Sequence, residues 1–382
     1  MRFEFATATR ILFGAGSISE LASLAPAFGQ HALVVTGVNQ ERAKHHLAAL
    51  ESAGVACRYL SVPGEPTVSL VQEGAQAARF ANFVIGFGGG SAIDAAKAIA
   101  AVAPNSGEPL DYLEVIGQAR PLENPPLPFI AIPTTAGTGA EVTRNAVLGS
   151  PERGVKASIR SPLMLARLAI VDPDLTLEVP PAVTATTGLD TITQLIEPYV
   201  SIRANALTDL YCLDGLKRAS KALPAVYGNS GDALARAEMS FASLLSGLSL
   251  ANAGLGVVHG FAAPLGGMLN APHGALCAAV LPHATALNIR ALRERAPEHP
   301  ALDKYARVAA LLTQGPQATA ESIVPALAHL CAAFKIPTLR THGLVESEIP
   351  VAVSRAAAAS SMKANPLLLT NGELTEILER SL

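Results

Sequence analysis

The sequence has no tryptophan, only 4% aromatic residues and only 15% charged ones, while half of it is hydrophobic. With small residues dominating, that composition suits closely packed helices. The formal net charge of −3 leaves no basic field that would draw nucleic acid or an anionic membrane surface. Four cysteines, Cys57, Cys212, Cys277 and Cys331, are scattered without CxxC pairing. This argues against a disulfide scaffold or a zinc knuckle and fits a reducing, cytoplasmic setting. The opening MRFEFATATRILFG lacks the apolar segment of a secretory signal. Apolar stretches are interrupted by Gly, Pro, Asn, Ser and His before about twenty residues accumulate, so no membrane partner is expected.

What is present divides into two halves. At 382 residues the chain exceeds one ordinary core. Over 1–180, short β-rich runs alternate with helical periodicity: Arg10–Gly16, Ala32–Thr36, Cys57–Val62, Phe83–Gly86 and Pro128–Ile132 as strand segments, with helices over Gln40–Ala53 and Leu70–Phe80. Strands separated by helices of that length imply βαβ units and a parallel sheet, an α/β domain of nucleotide-binding type. The Phe83 strand runs into Gly88-Gly89-Gly90-Ser91, with Ser91 placed as a helix cap and Asp94 as its capping-box acid. Glycines before a helix N-terminus let a phosphate approach free N–H groups and a positive dipole. A tight turn without ligand is the plainer reading, but three consecutive glycines exceed what a turn needs. The spacing is neither GxGxxG nor a Walker loop. A second turn, Pro133-Thr134-Thr135-Ala136-Gly137-Thr138-Gly139, follows the next strand. Ligands bind at the carboxyl ends of parallel strands, so two such turns point to a dinucleotide gripped twice.

From 181 to 382 the strand signal fades and helical spacing dominates, giving an all-helical second domain. Its Leu189–Glu197 segment places Asp190 and Gln194 one turn apart on one face. Between Glu238 and Arg290 no Lys, Arg, Asp or Glu occurs, yet His259, His273 and His283 lie inside. Imidazoles in so apolar a stretch are either core residues bonded to backbone or part of a metal or proton-transfer site.

Taken together, Phe13-Gly14-x-Gly16, Gly88-Gly89-Gly90-Ser91-x-x-Asp94-x-x-Lys97, Pro133 to Gly139, Val171-Asp172-Pro173, Gly188-Leu189-Asp190, His259, Pro272-His273-Gly274, Leu281-Pro282-His283 and Asn365-Pro366 form one pattern. It resembles the iron-containing (group III) alcohol dehydrogenases, related in fold to glycerol dehydrogenase and dehydroquinate synthase. The resemblance implies a Rossmann-like domain followed by a helical metal-binding domain. It also implies hydride transfer between an alcohol and an aldehyde or ketone, NAD or NADP as cofactor, and a divalent metal, Fe2+ or Zn2+. By position the ligands would be Asp190, the residue at 194, His259 and His273, with Lys156 near cofactor and substrate.

Two positions depart from the pattern. Position 194 is Gln, whose neutral carbonyl is a weak ligand beside imidazole. Ala263 stands where many relatives carry a second site histidine, which removes the usual proton relay. Asp190, His259 and His273 still suffice for an open catalytic site. Gly37 replaces the Asp that repels a 2′-phosphate, and Asn39 or Arg42 lies within reach of one, so either cofactor is admitted. Arg144 reads as a surface charge, and His283 as structural. The expectation is a cytoplasmic homo-oligomeric oxidoreductase, a dimer or larger, acting on a small alcohol or aldehyde. The alternatives are a lyase of dehydroquinate synthase type on the same fold, or a nucleotide-binding protein without metal or activity.

Overall fold

A computed structural model describes residues 2–382. The chain divides into two compact units. The α/β unit comprises Phe5–Thr135 and Gly139–Glu178, and the helical unit comprises Val179–Leu382 with residues 2–4 and Ala136–Thr138.

In the α/β unit, strands β1 (Ile11–Phe13), β2 (His31–Thr36), β3 (Ala56–Ser61), β4 (Phe83–Gly88), β5 (Phe129–Pro133) and β8 (Leu168–Val171) form one sheet in the order β1-β8-β5-β4-β2-β3. Every pairing in it is parallel. Burial explains the order. β4, β5 and β8 are buried along their whole length and read as continuous apolar runs, the mark of strands covered on both faces. β1 and β3, partly exposed, take the edges. Phe83, Ile85, Ile130, Ile132, Val34 and Ile170 meet in the core.

The helix Gly90–Val102 begins two residues earlier than a Ser91 cap implies. Gly89 is its cap, so Ser91 lies inside the helix rather than capping it. Asp94 makes no capping box either: its Oδ2 accepts the Val147 N–H at 3.0 Å and its Oδ1 faces Lys97 at 3.6 Å. Val147 belongs to an antiparallel hairpin, β6 (Asn145–Ser150) and β7 (Val155–Arg160), that the sequence reading did not include. The alternating burial of β6 fits a strand with one covered face.

The helical unit is built from helices Pro181–Val200, Ala206–Gly228, Ala233–Ala253, Val257–Leu269, His273–Arg295, Ala301–Thr313, Ile323–Ala333, Ile349–Ala357 and Asn371–Ser381. Their starts follow local chemistry: Asn205 accepts from Leu207 and Thr208, Asp232 from Ala235, and Thr370 from Glu373. The uncharged stretch resolves into the end of one helix and two more. Its last helix, His273–Arg295, is long and apolar enough to cross a membrane, but most of it is buried inside the protein, as in a core helix.

Candidate active site

Three helices bring their polar residues to one place inside the helical unit. Pro181–Val200 supplies Asp190, Gln194 and Glu197, at four- and three-residue intervals on one face. Val257–Leu269 supplies His259 in its first turn, and His273–Arg295 supplies His273 and, one turn later, Cys277. Asp190 Oδ1 lies 3.3 Å from His259 Nε2 and 3.8 Å from His273 Nε2. Cys277 Sγ is 3.6 Å from His273 Nε2. One ligand atom from each of Asp190, His259, His273 and Cys277 falls within 4.8 Å of the others.

The surroundings fix these groups. Glu197 Oε2 lies 2.7 Å from His259 Nδ1, while its Oε1 accepts the Val258 N–H at 2.7 Å. His259 therefore donates through Nδ1 and turns Nε2 toward Asp190. The Gln194 amide donates from Nε2 to Asp190 Oδ2 at 2.9 Å, and its Oε1 accepts from Ser246 Oγ at 2.9 Å. A carboxylate only accepts, so the amide's NH2 must face Asp190. Gly256 precedes His259's helix because nothing larger fits. A Cβ there would sit 2.8 Å from Asn365 Oδ1 and 2.9 Å from Glu197 Oε1. Asn365 in turn accepts the Val257 N–H and bonds Asn288.

Electrostatics gives this cluster its meaning. Asp190 Oδ1 and His259 Nε2 are buried and find no hydrogen-bond partner among the described residues, although they face each other. Two buried polar atoms left this way cost about 1–3 kcal/mol each. With Nδ1–H committed to Glu197, Nε2 carries either a lone pair against a carboxylate oxygen or a second proton. In both cases a positive charge completes the pair. Burial alone would push the Asp190 carboxyl up, but His273 and His259 outweigh it and hold it below the usual range. Burial likewise opposes charge on His259, yet Cys277, Glu197 and Asp190 raise its pKa well above the ordinary imidazole value. The distances suit an ion. Bonds of ~2.0–2.3 Å in a tetrahedral site space neighbouring ligand atoms ~3.3–3.8 Å apart, beside the 3.3, 3.8 and 3.6 Å observed. The residues present fit a divalent metal.

The second group lies in the α/β unit, where β5, β4 and β2 stand side by side. Gly88 ends β4 against its neighbours: a Cβ would meet Ala92 Cβ at 2.7 Å and the Gly37 nitrogen at 3.3 Å. Thr134 N–H donates to the Gly88 carbonyl at 2.9 Å. A Cβ on Gly89 would touch Thr135 at 3.4 Å. Gly89 also accepts from Ala92 and Ile93, leaving the Gly90 and Ser91 amides outside the helical pattern. Strand ends, small residues and a helix N-terminus thus meet as a pyrophosphate requires. Thr138 is grouped with the helical unit. Its neighbour Gly137 accepts from Thr191 Oγ1 at 3.1 Å.

Other expected residues have different surroundings. Asn39 accepts from the Arg42 N–H as the cap of helix Gln40–Leu47. The Arg42 guanidinium bonds the Leu175 carbonyl and pairs with Glu178 at 3.4 Å. Lys156, on β7, is not the solvated lysine of the plainer reading. Its side chain is 6% exposed and pairs with Glu65 at 3.3 Å. His283 lies outside the cluster, and burial with Arg380 nearby lowers its pKa. Glu197 was missed, although its position three residues past Gln194 on the same helical face was a usable signal.

Comparison with known proteins agrees with this geometry. The family model for iron-containing alcohol dehydrogenase matches residues 8–173, and that for the C-terminal part of the Fe-containing alcohol dehydrogenase family matches residues 184–382. The chain belongs to the iron-containing alcohol dehydrogenase family. It is 31% identical to the NAD-dependent methanol dehydrogenase of Bacillus methanolicus, covering 97% of each chain. It is 34% identical to alcohol dehydrogenase 4 of Saccharomyces cerevisiae, covering 83% of this chain and 80% of that one. A crystal structure of 1,3-propanediol oxidoreductase superposes with a TM-score of 0.91 at 30% identity, over 100% of both chains. As a member of this family the protein is a metal-dependent oxidoreductase that interconverts alcohols with aldehydes or ketones using a nicotinamide cofactor. The lyase alternative finds no support in these relatives.

Proposed function

We propose that Asp190, His259 and His273 hold the divalent ion, and that a small alcohol or aldehyde reacts beside them. The observation that carries this reading is the buried, unpartnered pair Asp190 Oδ1 and His259 Nε2. When bound, the ion supplies Lewis-acid polarisation of the substrate oxygen. The chain's own residues do the rest. Glu197 sets the His259 tautomer, and Gln194 occupies Asp190 Oδ2 so that Oδ1 stays free. His273, 32% exposed against 1% for Asp190 and 5% for His259, is the member of the set open to an arriving substrate. Ala263 leaves the substrate proton without the second imidazole of many relatives.

For the cofactor, we propose the Gly37, Asn39, Gly88–Ser91, Asp94, Thr134, Thr135 and Thr138 segments as the binding elements, with NAD(H) preferred. In support, the Arg42 guanidinium is drawn to the Leu175 carbonyl and to Glu178, whose carboxylate disfavours a 2′-phosphate there. Lys156 is proposed as a cofactor-side positioning residue held by Glu65. We also propose a cytoplasmic homo-oligomer, supported by four cysteines free of disulfides and by exposed apolar side chains such as Ile202, Leu210 and Leu234. Light scattering that gives a monomer, or fractionation that finds the protein outside the cytoplasm, would contradict these two points.

The test is turnover of an aldehyde panel with NADH and NADPH, together with elemental analysis of protein isolated without chelator. The expected result is nicotinamide oxidation with NADH favoured at least tenfold in kcat/KM, and bound metal that Asp190→Ala and His273→Ala abolish. NADPH preference overturns the cofactor assignment; both variants keeping metal and full activity overturns the site.

A further inference from the structure

We infer that Cys277 is a fourth ligand of this metal site and takes the role that Gln194 leaves vacant, which makes the thiophilic ion zinc its resident metal. The inference rests on the preceding reading of Asp190, His259 and His273 as ligands and adds to it.

Position 194 is turned away from ligation by its own bonds. The only ligating atom of Gln194 is Oε1, which accepts from Ser246, while its amide nitrogen is held on Asp190 Oδ2. Cys277 stands where it can replace that atom. It follows His273 by one helical turn, so both side chains leave the same face of the His273–Arg295 helix. Its sulfur is 3.6 Å from His273 Nε2 and belongs to the same four-atom group, none of whose members lies more than 4.8 Å from another. The two partly exposed thiols face backbone instead, Cys57 toward the Val55 carbonyl and Cys331 toward the Ala278 carbonyl.

Two facing buried atoms say that a ligand belongs here. Asp190 Oδ1 and His259 Nε2 are nearly fully buried, unpartnered, and directed into the space that Cys277 borders. Charge agrees as well. A carboxylate, a thiolate and two neutral imidazoles balance a divalent ion, whereas one carboxylate and neutral donors alone leave a positive residue. Thiolate donors favour zinc over harder ions. On binding, the thiol proton passes to solvent and the sulfur binds as thiolate. The rival reading is a plain S–H contact to His273 with no metal bond.

Cobalt(II) titrated into metal-free full-length protein separates the two. The wild type is expected to take up cobalt with a near-ultraviolet thiolate-to-cobalt charge-transfer band. Cys277→Ser should lose the band, while Cys57→Ser and Cys331→Ser keep it. Zinc affinity, measured by competition with a chromophoric chelator, should fall in Cys277→Ser by more than the ~10–100-fold that loss of an outer orienting partner causes. Cobalt bound with visible ligand-field bands but no charge-transfer band overturns the Cys277 assignment and leaves the three-ligand reading standing. Failure of the wild type to bind cobalt overturns that earlier reading as well. If the serine variant does not fold, the wild-type band and its survival in the other two variants decide.

Discussion

Glu197 offers the sharpest view of how a residue that is not itself a proposed ligand tunes the site. Its two oxygens serve two donors, Val258 N–H and His259 Nδ1–H, each at 2.7 Å. Glu197→Gln keeps the shape and removes one acceptor. The single amide oxygen can then satisfy Val258 or His259, not both. If the NH2 faces His259, the ring must accept at Nδ1 and carry its proton on Nε2, where a metal bond is required. Outer partners of metal-bound histidines are worth ~10–100-fold in affinity, or about 1.4–2.7 kcal/mol. The variant should therefore bind zinc ~10–100-fold more weakly, measured by chelator competition, with far-UV circular dichroism unchanged. Unaltered zinc affinity would refute the claim that Glu197 sets the tautomer.

Three further outcomes follow from the packing. Gly256→Ala drives a Cβ to 2.9 Å from Glu197 Oε1 and 2.8 Å from Asn365 Oδ1, so it should weaken metal binding in the same direction, and chelator competition checks this. Lys97 donates to Ala140 O, Thr143 Oγ1 and Asn145 O at 2.7, 2.8 and 2.7 Å. Lys97→Met removes the donor to those three acceptors and the cation beside Asp94, and should cost about 3 kcal/mol in urea unfolding; a loss under ~1 kcal/mol contradicts the pairing. Glu141 is buried, and burial raises its pKa to about 7. Below the unfolded value near 4.5 both states hold the proton. As pH rises from there to about 7, the unfolded chain ionises first and stability is lost, up to about 3 kcal/mol. Glu141→Gln should remove that loss, so variant and wild type diverge between pH 4.5 and 7. Parallel curves would count against it.

How much of this was legible in the sequence varies with the physics involved. The parallel sheet was readable because its central strands are unbroken apolar runs bounded by glycine. The hairpin Asn145–Arg160 was not, since its short strands alternate weakly and lie beside a glycine-rich loop. The helices Val257–Leu269 and His273–Arg295 contain Pro264 and Pro282, which blur the helical period, so the uncharged stretch had no visible boundaries. Asp190, His259 and His273 were named and the fold brings their ligating atoms together. Cys277 was not, because a lone Cys carries no motif, and Glu197 offered only its spacing on the face of Asp190 and Gln194. Only the contact of three helices gives them partners. Ser91 is by type the better capping residue, yet Gly89 caps the helix and Gly90 is its first residue.

Asp190 and its two histidines are proposed to hold the ion on which this alcohol dehydrogenase works. Asp190→Asn preserves size and removes the charge that faces His259 Nε2 at 3.3 Å. Metal content per chain, measured by elemental analysis on wild type and variant purified side by side without chelator, tests the claim directly. The expected result is about one divalent ion per wild-type chain and essentially none in Asp190→Asn, with aldehyde reduction lost in parallel. A variant that retains the ion and its turnover would contradict it.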